Sequence, residues 1–392
     1  SQAGMVAVAV GSTAVIARNV GAGQPELASR TLRNAFLMAL IWGLAIGIAI
    51  WFFGEWGLGM LGAEEGAKHQ GTVYLKATAV GMPLWSLIYA GNASLQGAGD
   101  TRTPMVIGVA VNIVNVIVAY LLINGAGPFP RLEVLGSGAG FTSAAIIGSI
   151  LVLLVLASGT RIIHWRPWEA FQFDPLEARR VLNVGLPAGV EQIQFNVAFM
   201  IYTRIIASLG TSALAAHGVT LAIQSLTFNV GFALSVATTA LVGQSLGAGR
   251  PDLAERATYV TMRYSLVFMM ALGAVMMAFG GSITGLFVGG ENADEVVDIG
   301  RQLLFIFAFA MPGLAVSLSL GGGLRGAGDT RAVLVISAGA TWIVRLAPAY
   351  LLAITAGLGV PGAWAAAIAD INTRALLIFI RFRQGRWKGL KV

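Results

Sequence analysis

Few residues in this 392-residue chain can do chemistry, and those few sit in apolar surroundings. Glu191, in GLPAGVEQIQFNVAF, lies about seven residues past the inner end of an apolar run, roughly 10 Å deep at about 1.5 Å per residue. A carboxylate at that depth is unfavourable unless it is protonated, paired or bound to an ion. Glu191 is therefore the candidate group for reversible protonation or Na+ binding. Gln194 shares its helix face at i+3, whereas Gln192 does not. Pro187 precedes it by one turn and loosens the backbone ladder, so a freed carbonyl is a further candidate ion ligand. Arg345, inside TWIVRLAPAYLLAI, is either the partner of Glu191 or a group projecting into a cleft. Asn115 and Gln224 are polar groups in apolar runs, suited to interhelical hydrogen bonds or to lining a cavity. Asp370, in AIADINTR, reads as a solvated helix-end charge, and His217 as a solvated residue opening a segment.

Other chemistries find no support. The histidines at 69, 164 and 217 have no metal-site spacing, and there is no cysteine for a disulfide or thiolate site. No Walker motif and no nucleophile–base arrangement is present. The expectation is a protein that is not an enzyme and has no cofactor, only a coupling ion, H+ or Na+. The net charge of +7 is spread between apolar runs rather than gathered in a patch, which argues against a nucleic-acid partner.

The elements that must position these groups are transmembrane helices. The chain is 56% hydrophobic and 11% charged, against roughly 25% charged in soluble domains. Eleven apolar segments can be drawn, at 1–17, 34–60, 71–94, 105–123, 136–158, 184–208, 213–243, 260–288, 302–321, 332–354 and 359–380. They are too long for barrel strands, which run to about 10 residues. The connections alternate in charge, and one alternate set holds nineteen of the 25 Lys and Arg residues. The positive-inside rule makes that set cytoplasmic. The C-terminal RFRQGRWKGLKV then reads as a basic anchor on anionic inner-leaflet lipid.

Two polar phrases recur. QGAGDTR at 96–102 returns as RGAGDTR at 325–331, displaced by 229 residues. TAVIARNVGAGQPELASR at 13–30 returns as TALVGQSLGAGRPDLAER at 239–256, displaced by 226. A weaker pair, GAGFTSAAI and PGAWAAAIA, is displaced by 223. Ordered matches at near-constant displacement mean a duplicated half. Both copies of the strong motifs fall on the expected cytoplasmic side, so the repeats are parallel. Gly97, Gly99, Gly247, Gly249, Gly326 and Gly328 are expected to end helices as tight hinges. Asp100 and Asp329 should cap the helices that follow. Arg102 and Arg331 can hold lipid phosphate or an acidic side chain.

The expected domains are an N-terminal lobe at 1–158, a cytoplasmic linker at 159–183, a six-helix C-terminal lobe at 184–380 and a basic cytoplasmic tail at 381–392. The second half runs about 55 residues before its copy of the long motif and the first half only twelve. One helix and the start of the next are therefore expected to be missing from the first half.

The motifs LVGQSLGAGRPDLAER, LQGAGDTRTPM, GLRGAGDTR and GLPAGVEQIQFNVAF resemble those of the multidrug and toxic compound extrusion (MATE) family of the wider flippase superfamily. The resemblance implies an all-α integral membrane protein with two six-helix lobes, twelve spans when complete. It implies efflux of amphipathic, often cationic organic compounds driven by inward H+ or Na+ flux. It also implies coupling carboxylates, and Glu191 matches the one some members carry on their seventh helix. A second is expected on the fifth helix, but Ala119 stands there, in Asn115-Val-Ile-Val-Ala119. Membrane lipids and small amphipathic molecules are the implied partners, in a monomer of the cell inner (plasma) membrane with a cytoplasmic C-terminus. A flippase for a lipid-linked or polar-headed substrate, or a non-transporting receptor or scaffold, are the alternatives.

Overall fold

The computed structural model describes residues 2–60, 64–165, 173–288 and 293–390. Arg166 and Lys391, two of the nineteen Lys and Arg residues in the expected cytoplasmic set, lie outside them. The regular elements are all helical: α1 (Gln2–Gly21), α2 (Pro25–Met60), α3 (Glu65–Gly97), α4 (Arg102–Asn124), α5 (Val134–Ala157), α6 (Pro175–Ala207), α7 (Thr211–Gly247), α8 (Pro251–Gly285), α9 (Ala293–Ala308), α10 (Met311–Gly326), α11 (Thr330–Gly339), α12 (Ala347–Tyr350) and α13 (Gly359–Arg383). Among the described residues, eight helical stretches are long and apolar enough to cross a membrane, or nine if the bent α9–α10 pair is one span. α3 and α6 are each 33 residues long and carry more charge, and with them the rods number eleven, one for each apolar segment.

The chain divides into two compact units, residues 1–186 and 187–392, with the division inside α6 beside Pro187. α6 starts at Pro175, within the stretch read from sequence as linker, and its first turns pack on the first unit. A Cβ on Gly11 would lie 2.2 Å from the Val181 carbonyl oxygen, and one on Gly185 would lie 2.0 Å from that of Ala7. Two helices approach that closely only where one lacks a side chain, the usual device where lipid supplies no hydrophobic drive between helices. The large apolar side chains point the other way. Phe52, Val267 and Ile343 are each more than 70% exposed, which suits a lipid solvent.

The duplicated phrases build the same local structure in each unit. Thr13 donates to the Ala93 carbonyl at 2.9 Å, and Thr239 donates to the Gly322 carbonyl at 2.9 Å. Gly97 then lies against the Thr13 carbonyl and Gly326 against that of Thr239, where a Cβ would come within 2.7 and 2.3 Å. Gly99 (φ 92°) and Gly328 (φ 88°) turn the chain left-handed out of α3 and α10. The next N–H, of Asp100 or Asp329, returns to the carbonyl of Leu95 or Leu324 and closes the helix end. Gly23 and Gly249 close α1 and α7 in the same way, both at φ 71°.

The two aspartates diverge. Asp100 caps α4 as expected: Thr103 donates its backbone N–H at 3.0 Å and its hydroxyl at 2.6 Å. Asp329 makes no side-chain cap and instead accepts from Arg381 Nε at 2.8 Å. Asp100 has its own arginine in Arg161, at 3.3 Å. In both copies, then, the aspartate's ion-pair partner comes from elsewhere in its unit, not from Arg102 or Arg331. Burial pushes the Asp100 carboxyl up, but the Thr103 hydrogen bonds and Arg161 outweigh it and hold it below its ordinary 3.8.

One residue of the basic tail packs inward. Its tryptophan, Trp387, is fully buried, stacks on Phe382 at 4.7 Å between ring centres, and donates Nε1–H to the Phe382 carbonyl. It is part of the second unit's core, while Arg383, Arg386 and Lys388 around it are exposed.

Candidate functional site

The second unit holds a partly open cavity of about 400 Å³, within the range of small-molecule sites. Six helical elements bring polar groups to it. α6 contributes Glu191 and Tyr202, α7 contributes His217 and Gln224, and α10 contributes Arg325. Ser337 comes from α11, and Trp364 and Arg374 from α13. Arg345 comes from a π-helical stretch, Ala340–Leu346, just before Pro348. Proline removes a backbone donor, and the ladder before it widens to five-residue hydrogen bonds.

Glu191 is paired, but not with Arg345. Arg325 Nη2 donates to both carboxylate oxygens, at 3.0 and 2.9 Å, and the Ser337 hydroxyl donates to Oε1 at 2.8 Å. Arg325, read from sequence as a loop cation of the inner face, is the last-turn arginine of α10 and is only 20% exposed in its side chain. Arg345 pairs with Asp370 at 2.8 Å. Asp370 is not a solvated helix-end charge. It is fully buried, and Arg374 Nη2 also donates to both its oxygens at 3.0 Å and to Thr341 at 2.9 Å. A buried carboxylate held by two guanidiniums satisfies the requirement that interior charge be compensated.

His217 is corrected as well. It is 1% exposed and lies between the Tyr202 ring at 5.8 Å and the Trp364 ring at 5.7 Å. Among the described residues, neither of its nitrogens has a hydrogen-bond partner. Gln224 lines the cavity, whereas Gln194 does not. Both side-chain polar atoms of Gln194 are buried without a partner, and Gln192 donates to Asn196 at 3.1 Å. Asn115 lies on α4, in the other unit. Ala119, which stands where the family resemblance implies a carboxylate, packs so closely on Gly140 that a Cβ on that glycine would come within 2.8 Å of it. No group of three or more His, Asp or Glu residues able to hold a metal occurs among the described residues.

A two-unit helical membrane protein with duplicated glycine turns and a buried charged cavity has the architecture of a secondary transporter. The chain belongs to the MATE family: the MatE family profile matches residues 2–121 and 187–351. It is similar to "Probable multidrug resistance protein NorM" of Thermotoga maritima, 27% identical over 98% of this chain and 82% of that one. It is likewise similar to "Multidrug resistance protein PmpM" of Pseudomonas aeruginosa, at 25% over 96% and 80%. A solved transporter of the MOP superfamily from Pyrococcus furiosus, described as having a binding pocket of reversed polarity, superposes with a TM-score of 0.92 at 20% identity. That match covers 99% of this chain and 86% of the other. The fold is thus the two-lobed, all-α architecture of this family, whose members are multi-pass membrane transporters and not enzymes.

Proposed function

We propose that the chain is a secondary active exporter of amphipathic organic compounds that works by alternating access, with a proton as the coupling ion and Glu191 as its carrier. The observation supporting this is the Glu191–Arg325–Ser337 cluster. Both carboxylate oxygens are engaged by a guanidinium, so a sodium ion bound there would sit beside a fixed cation, which like-charge repulsion opposes. A proton instead discharges the carboxylate and breaks the ion pair. It thereby releases Arg325, and with it the hold of α10 on α6 and α11. Charge-controlled contacts between helices of one lobe are a means of biasing a two-state equilibrium. The cationic cargo suggested by the family resemblance draws no support from this cavity, where guanidiniums outnumber carboxylates. The alternation of basic loops favours a protein of the cell inner (plasma) membrane, with a cytoplasmic C-terminus.

The test is transport in proteoliposomes driven by an imposed pH gradient or an imposed Na+ gradient. Wild type should respond to the pH gradient alone, and Glu191→Gln should lose that response while still binding cargo. Unchanged pH-driven transport by Glu191→Gln, or transport driven by Na+ at symmetric pH, would reject the assignment.

A further inference from the structure

The cavity is unbalanced in both charge and hydrogen bonding. Three guanidiniums border it, Arg325, Arg345 and Arg374, against the carboxylates of Glu191 and Asp370. Glu191 is committed to Arg325 and Ser337. Asp370 is committed through both oxygens to Arg345 and Arg374. No carboxylate is left over for a cationic ligand, and one positive charge is left uncompensated. The donors tell the same story. Among the described residues, the Nε groups of Arg345 and Arg374, the Tyr202 hydroxyl and the Trp364 indole N–H are all buried without a protein acceptor. All four residues line this one cavity. Buried donors left without acceptors are unfavourable, and their concentration here calls for a ligand rich in acceptors and carrying negative charge. Phe195, Phe199 and Phe307 make up apolar wall beside them.

We propose that this cavity is a binding site for aromatic organic monoanions, carboxylates above all. The carboxylate is held by the Arg345–Arg374 pair, and the ring packs against the phenylalanines and Trp364. The pair is suited to the role because Asp370 meets each guanidinium at Nη2 while the Nε group of each lacks a protein acceptor, and a guanidinium has five donors arranged for planar, bidentate contact with carboxylates. Asp370 then acts as an internal counter-ion. It keeps both arginines oriented while the site is empty, and it competes with the incoming anion. The proposal names the cargo class for the export reading above and rests on that reading for its biological use. The binding itself does not depend on it.

The test is equilibrium binding to the full chain in nanodiscs of zwitterionic lipid, with no ion gradient, using 2-naphthoate and its cationic counterpart 2-naphthylmethylammonium. The naphthoate should bind about tenfold or more tightly than the ammonium, and Arg345→Gln should remove about that factor, as expected for a lost charge-assisted hydrogen bond. Asp370→Asn should move the other way, tightening naphthoate by a similar factor, because it frees both guanidiniums. A misfolded protein cannot gain affinity, so this variant keeps the test decisive if Arg345→Gln is unstable. Equal or tighter binding of the ammonium, or an Asp370→Asn variant with unchanged naphthoate affinity, would overturn the proposal. Naphthoate binding that persists while pH-driven transport fails to depend on Glu191 would count against the coupling mechanism and leave this site standing.

Discussion

The pairing of Glu191 with Arg325 carries the coupling argument, and a double-mutant cycle on stability tests it directly. The side chains are 16% and 20% exposed, and the contact distances are 2.9 and 3.0 Å. With charge centres about 4 Å apart and an effective dielectric of about 20, the gross attraction is about 4 kcal/mol. Desolvation offsets part of it, so the pair's net worth is smaller than that. Breaking it from one side is a different matter. Arg325→Met leaves Glu191 with only the Ser337 hydroxyl, and removing one partner of a buried pair costs about 3–5 kcal/mol. Glu191→Gln with Arg325→Met removes both charges and keeps an amide that Ser337 can still reach, which should recover most of that loss. The expected interaction energy is about 2–3 kcal/mol, near the upper end for directly coupled residues. The assay is reversible unfolding of the four proteins in mixed micelles, titrated with denaturing detergent. Additivity within about 0.5 kcal/mol would show the two residues to be energetically independent, and the release of Arg325 by a proton would lose its basis.

Two further outcomes follow from the duplicated turns. Gly326→Ala would place a methyl within 2.3 Å of the Thr239 carbonyl oxygen and should destabilise by about 1–3 kcal/mol. Gly339→Ala, also in the second unit but with nothing within 4 Å, should stabilise by about 0.5–1 kcal/mol. Equal thermal shifts for the two variants would mean that close helix approach is not what Gly326 provides. Asp100 predicts a pH dependence. Its carboxyl is held below its ordinary 3.8, so the ionised form stabilises the fold. That contribution is full above the unfolded value and is lost as pH falls through the lower folded one. The stability gap between wild type and Asp100→Asn should therefore be constant near neutrality and close on acidification below 3.8. A gap that persisted undiminished in acid would rule out the charge as its source.

Much of the architecture was legible along the chain. Apolar run length, alternating loop charge and two recurring glycine phrases were enough for eleven rods, their helical nature and the duplication, because each is a local or periodic property. Gly99 and Gly328 could be read as hinges, since a left-handed turn out of a helix favours glycine wherever it occurs. Glu191 stood out because a carboxylate deep in an apolar run demands a reason.

Its partner did not stand out. Arg325 is 134 residues away in a phrase that reads as an inner-face turn, while Arg345, the nearer guess by depth, is committed to Asp370. Depth in the membrane can be counted from a sequence, but the azimuth of a side chain about its helix axis relative to other helices cannot. That azimuth depends on the widened stretch before Pro348, on the 52° bend between α9 and α10 and on which glycines let which backbones touch. His217 was misplaced, and the burial of Trp387 went unread, for the same reason: both sit near segment ends, and only packing turns them inward against Trp364 and Phe382. Composition and periodicity thus determined what crosses the membrane and where its charges lie along each rod. Tertiary packing alone decided which charges meet, because helix rotation is fixed by contacts between residues far apart in the chain.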